Sequence, residues 1–67
     1  MYFPKSRLDE FSKVPKDKRL RIGQQFHQFM KLEKVTGIDK PLCDKIYEIS
    51  CHDTLINFIT PYIDNHS

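Results

Sequence analysis

Four side chains away from the C-terminal tail have the chemistry to ligate a metal or act covalently: His27, Cys43, Cys51 and His52. A tetrahedral zinc site needs close ligand pairs, two to five residues apart, so that one turn presents two donors at once. Here fifteen residues separate His27 from Cys43, seven separate Cys43 from Cys51, and Cys51 adjoins His52. Side chains of adjacent residues rarely converge on one ion, so neither a metal nor another cofactor is expected. Cys43 then reads as a small buried apolar residue, and His52 as a polar residue at a helix start. A nucleophile–base pair of Cys43 or Cys51 with His27 or His52 meets the same difficulty, because neighbours on a helix or turn point apart. Serine elbows, phosphate-binding glycine loops and the HExxH helix are absent. A chain of 67 residues leaves little room for a concave pocket of about 300 Å3 or more. No catalytic residues are assigned, and the chain reads as a non-enzyme.

The residues best suited to recognition lie between Lys18 and Leu32, a stretch without an acidic residue. On a helix, Gln24, His27, Gln28 and Lys31 share one face, with Arg19 and Arg21 at its start. Arginine and lysine hold phosphates and glutamine reads adenine edges, so this face could meet nucleic acid. Against that, the aromatic residues are needed for a core rather than interleaved with the basic ones, and a pI near 8.6 is modest for such work. A second surface is apolar. Tyr2, Phe3, Leu32, Tyr47 and Phe58 exceed what one small core needs and are candidates for an interface with another protein or a second copy.

Charge supports either partner. Residues 1–21 carry seven basic against three acidic side chains, a net of +4, while residues 22–67 carry four against six, a net of −2. A basic front attracts nucleic acid or an acidic protein surface. With 39% hydrophobic residues and five phenylalanines the chain has material for one compact core. It has no apolar run long enough for a membrane span or a secretory signal, and a cytoplasmic location is expected. Cys43 and Cys51 would lie roughly 12 Å apart along a helix axis, beyond the about 7 Å a disulfide spans, and so read as free thiols.

The elements that position these residues are helical. The periodic stretch Pro15–Thr36 places Ile22, Phe26, Phe29 and Met30 on one apolar stripe. Pro15 suits a first turn and Gly37 a stop, so one helix over about 15–36 is predicted, about 30 Å long. Gly23 lowers its propensity, which is explained if another helix crosses closely there. Ser6–Asp9 reads as a capping box for a short helix to about residue 13, ended by Pro15. Asp39 is placed to cap a third helix bearing Leu42, Ile46 and Ile49. Ser50–Asp53, or Asp53 alone, is placed to cap a fourth with Leu55, Ile59 and Tyr62. Pro61 kinks or ends that helix near residue 60, and an edge strand near Ile56–Ile63 is the alternative. Residues 1–5 and 64–67 read as extended or frayed. The whole is a single all-α domain, a compact three- or four-helix bundle built on residues 15–36. The function expected is that of a small non-catalytic accessory or regulatory protein docking a helical surface on a larger protein. The alternative is a nucleic-acid binder using the basic, glutamine-rich face.

Overall fold

The computed structural model describes residues 1–65. In chain order the elements are β1 (Phe3–Pro4), α1 (Lys5–Lys13), α2 (Ile22–Phe29), α3 (Lys40–Glu48), α4 (His52–Ile59) and β2 (Ile63–Asp64), with 3-10 turns at Leu32–Lys34, Gly37–Asp39 and Thr60–Tyr62. It is an all-α bundle. The two short strands pair in parallel, Phe3 with Ile63 and Pro4 with Asp64, and tie the ends of the described chain together. Of the segments read as extended or frayed, Asp64 is extended and held in the strand pair, Lys5 instead opens α1, and His66 and Ser67 lie outside the described residues.

The largest departure from expectation is the central helix. Instead of 15–36 it spans only Ile22–Phe29, about 12 Å long, in a molecule measuring 29 × 24 × 20 Å. Polar side chains stop it at the front. Val14 is extended, as a residue before proline prefers. The Asp17 carboxylate then accepts the Arg19 N–H at 2.9 Å and grips the Arg19 guanidinium at 3.1 and 3.2 Å, an aspartate-closed turn. Gln25 reaches back from α2, accepting the Asp17 N–H at 3.1 Å and donating to the Asp17 carbonyl at 2.7 Å. Gln24 Oε1 accepts the Arg21 N–H at 3.0 Å, which closes the first turn of α2. At the back, Lys31 adopts the left-handed region (φ 57°) and ends the helix, a task expected of Gly37. Gly37 has φ 83° but opens the next 3-10 turn. The reversal at Lys31 turns Leu32 inward. Leu32 is off the apolar stripe if the helix continues, and is buried because it does not.

The core comprises Phe3, Phe11, Phe26, Leu32, Cys43, Ile46, Leu55 and Ile59. Phe26 lies at its centre, edge-to-face with Phe3 and with Phe11, both at 5.3 Å. The close crossing expected at Gly23 is present. Its N–H donates to the Ile49 carbonyl at 2.8 Å, and its bare Cα faces the end of α3. A Cβ there would overlap the Ile46 carbonyl oxygen and lie 2.7 Å from that of Ile49. α3 carries Pro41 in its first turn, with Cys43 and Ile46 buried. α4 ends at Ile59, where Pro61 tightens the chain into a 3-10 turn, so the proline ends the helix. The strand alternative holds only for Ile63–Asp64.

None of the three expected side-chain caps forms. α1, α3 and α4 begin at Pro4, Asp39 and Cys51 without a side-chain cap hydrogen bond. Stabilisation falls instead on helix C-termini. Lys16 Nζ donates to the carbonyls of Phe11 (2.7 Å) and Val14 (2.8 Å) and lies 4.2 Å from the Phe11 ring centroid. Arg7 Nη2 donates to the Phe29 carbonyl at 3.3 Å, and its guanidinium lies 4.4 Å from the Phe29 ring centroid. Cations favour these ends because the helix dipole is negative there. Lys16→Met keeps the stem and removes the charge and donors. It should lower stability by about 1 kcal/mol, discounted for exposure, read as a fall of a few degrees in the melting temperature.

Candidate functional site

The front-loaded basic charge is partly structural. Arg7, Lys16 and Arg19 are engaged by the contacts above, and Arg7 Nη1 also meets Glu10 at 2.8 Å. The Asp17 carboxyl is held below its ordinary range by the Arg19 guanidinium and then by the Arg19 N–H. A depressed folded-state pKa means this tie persists above the ordinary carboxylate range and is lost as pH falls through the depressed value.

Two clefts flank α2. The first, of about 450 Å3, lies between the end of α2 and α3, lined by residues including His27, Glu33, Cys43, Asp44, Tyr47 and Glu48. His27 meets the edge of Tyr47 at 5.2 Å between ring centroids, and Gln24 Nε2 donates to the Tyr47 hydroxyl at 2.9 Å. The second, of about 380 Å3, lies between α1, the 14–21 loop and α2. Phe11, Val14, Leu20 and Phe29 form its floor, with Asp17, Gln25 and Gln28 at its edge. Both exceed the room expected of so short a chain, because the shortened α2 leaves loops to wall them.

The six residues expected to share a recognition face are not on one helix. Gln24, His27 and Gln28 are in α2, but Arg19 and Arg21 belong to the preceding loop and Lys31 to the reversal after it. Gln24 is occupied by Arg21 and Tyr47, whereas Gln28 is exposed at the edge of the second cleft. Of the apolar set, Phe3 and Leu32 are core residues and are withdrawn as interface candidates: one is held by strand pairing, the other by the Lys31 reversal. Phe58 is half-buried, 6.5 Å from Tyr62 between ring centroids. Tyr2 and Tyr47 remain open. Ile38, 95% exposed, was not among the candidates. Its signal is its place directly after Gly37, in a turn too short to bury it. Leu20, inside the stretch expected to be one helix, lies off its apolar stripe, and Val14 falls at the bend before Pro15, so neither carries a periodic signal.

Comparison with protein families, curated proteins and solved structures returns no match for this chain.

Among the described residues, no group of three or more His, Cys, Asp and Glu side chains is arranged to hold a metal ion. The cysteines are free, Cys43 buried and Cys51 exposed. They differ in acidity. Burial, then the nearby Asp39 and Asp44, pushes the Cys43 thiol up. The Thr54 N–H, the Thr54 hydroxyl and the Asp53 N–H draw the Cys51 thiol down, although the neutral thiol makes no cap bond. Thiolate is the reactive form. Iodoacetamide at pH 7.5 should therefore label Cys51 alone in the folded protein, and Cys43 only after denaturant is added, as counted by mass spectrometry. Equal labelling without denaturant would contradict the burial of Cys43.

Proposed function

We propose that the chain is a small non-catalytic accessory or regulatory protein that docks a helical surface on a larger protein. The observation carrying this reading is apolar surface left open although the core is already closed. Ile38 is 95%, Tyr2 71% and Tyr47 40% exposed, and the floor of the second cleft is apolar. Open apolar surface of this kind is what partner burial uses. Arg21 and Lys31 would steer an acidic partner. The two free thiols fit a reducing compartment, and a cytoplasmic location is part of the proposal. No helix among the described residues is long and apolar enough to cross a membrane.

The competing reading is nucleic-acid binding, favoured by the basic front and weakened by Gln24, whose amide is bonded within the chain. Affinity capture from the chain's own cells, with and without nuclease, separates the two. Nuclease-resistant capture of one protein in stoichiometric amount supports docking, and nuclease-sensitive capture overturns it. Self-association is checked by light scattering, since a small core gains from a second copy.

A further inference from the structure

We infer that the groove between α1, the 14–21 loop and α2 receives an acidic amphipathic helix of a protein partner. This deepens the docking reading and rests on it. Three observations choose the occupant. The floor is apolar, formed by Phe11, Val14, Leu20 and Phe29, and the groove's volume of about 380 Å3 admits a few anchoring side chains.

Two cations lie against rings of that floor. Arg7 lies over the Phe29 ring and Lys16 over the Phe11 ring, at 4.4 and 4.2 Å, and the two rings are themselves 5.4 Å apart. Residues 13–21, which include the loop wall, carry five basic side chains against Asp17 alone. Asp17 is itself gripped by Arg19. Lys16 has three donors and gives two to carbonyls, and Arg7 has five, with Nη1 already on Glu10 and Nη2 on the Phe29 carbonyl, so both retain hydrogen-bonding capacity toward carboxylates.

The backbone around the groove offers no strand edge. The Val14 N–H is bonded to the Phe11 carbonyl. The Phe11 and Val14 carbonyls accept from Lys16, both main-chain groups of Asp17 are taken by Gln25, and the Phe29 carbonyl accepts from Arg7. An extended peptide that adds a strand needs unpaired main-chain groups, whereas a helix in a groove is read through its side chains. The groove meets the second condition. Carboxylates on the helix would face Arg7, Lys16 and Lys18 while its apolar side chains rest on Phe11, Val14, Leu20 and Phe29.

The probe is a fluorescein-labelled peptide of about 15 residues, long enough for partial helicity, with Leu at i, i+3, i+4 and i+7 and Glu elsewhere. Its twins replace Glu by Lys, or Leu by Ser. Binding is read by anisotropy and located by amide shifts in two-dimensional NMR. The acidic peptide should bind roughly tenfold tighter than either twin and shift amides within 11–20 and 25–29. The exposed double variant Lys18→Glu/Gln28→Glu should keep the folded spectrum and weaken binding by about tenfold.

Equal affinity for the Lys twin, or no binding, would overturn the inference. Shifts confined to the Tyr47 cleft or to Tyr2 and Ile38 would overturn the groove and leave docking standing. Labelled RNA that displaces the peptide and moves the same amides would overturn both. Concentration-dependent movement of those amides without peptide would give the groove to a second copy of the chain and overturn the proposed occupant.

Discussion

Gly23→Ala should lower the melting temperature by roughly 10–20 °C. In an unobstructed helix the same change stabilises by up to about 1 kcal/mol, because alanine is the better helix former. Here the new methyl would collide with backbone, the Ile46 and Ile49 carbonyl oxygens, rather than with a side chain that can swing away. Relieving the collision means moving α2 off the end of α3 and stretching the 2.8 Å bond from the Gly23 N–H to the Ile49 carbonyl. Overpacking costs about 1–3 kcal/mol, and a weakened buried hydrogen bond adds about 1 kcal/mol. A domain this small has roughly 3–5 kcal/mol to lose, at about 4–8 °C of melting temperature per kcal/mol. The sign decides the matter. A rise of a few degrees, followed by circular dichroism, would mean that the two helices do not meet at Gly23.

Phe26→Ala should leave the chain largely unfolded at 25 °C. The ring is fully buried and is the element shared by two edge-to-face pairs, with Phe3 from the first strand and Phe11 from α1. Truncating a buried phenylalanine costs about 3–5 kcal/mol, comparable to everything a core of this size supplies. Phe26→Leu retains most of the volume and should cost about 1.5 kcal/mol or less, so it should still melt cooperatively. Ile38→Ser, at a site 95% exposed, should stay within about 0.5 kcal/mol of the parent. A urea titration that ranks the three variants in any other order would contradict this description of the core.

Much of the architecture is legible in residue spacing, because burial repeats with the helical period. Phe26, Ile46, Leu55 and Ile59 all lie on stripes visible in the sequence, and all are buried. Gly23 announces a close approach because a glycine inside a periodic stretch otherwise only weakens it. What is not legible is the extent of α2. Nothing in residues 16–21 breaks a helix begun at Pro15, since they hold no proline or glycine, whereas the chain there is fixed by bonds from Asp17, Gln24 and Gln25 that depend on three-dimensional placement. The Lys31 reversal is hidden for a related reason. A left-handed lysine is costly by about 1–2 kcal/mol, so local preference points to Gly37, and burial of Leu32 offsets the difference.

The candidate site inherits these boundaries. With one continuous helix, Arg19, Arg21, Gln24, Gln28 and Lys31 make a basic reading face. With α2 cut to Ile22–Phe29, they divide between a loop, a helix and a reversal, and the apolar groove opens beside them. Tyr2 and Tyr47 are exposed as surplus aromatics should be, whereas Phe3 and Leu32 are drawn into the core by a strand pairing of two residues and by the Lys31 reversal. Neither feature has a periodic signature.

The most direct test of docking on protein rather than on nucleic acid is fluorescence anisotropy with mixed-sequence DNA and RNA at about 50 and 200 mM salt. Arg21→Ala/Lys31→Ala serves as the control. Several phosphate contacts would make affinity fall at least tenfold between those salts. The account predicts no nucleic-acid binding at the lower salt. Binding that weakens tenfold or more and depends on Arg21 and Lys31 would contradict it and make the basic face the working surface.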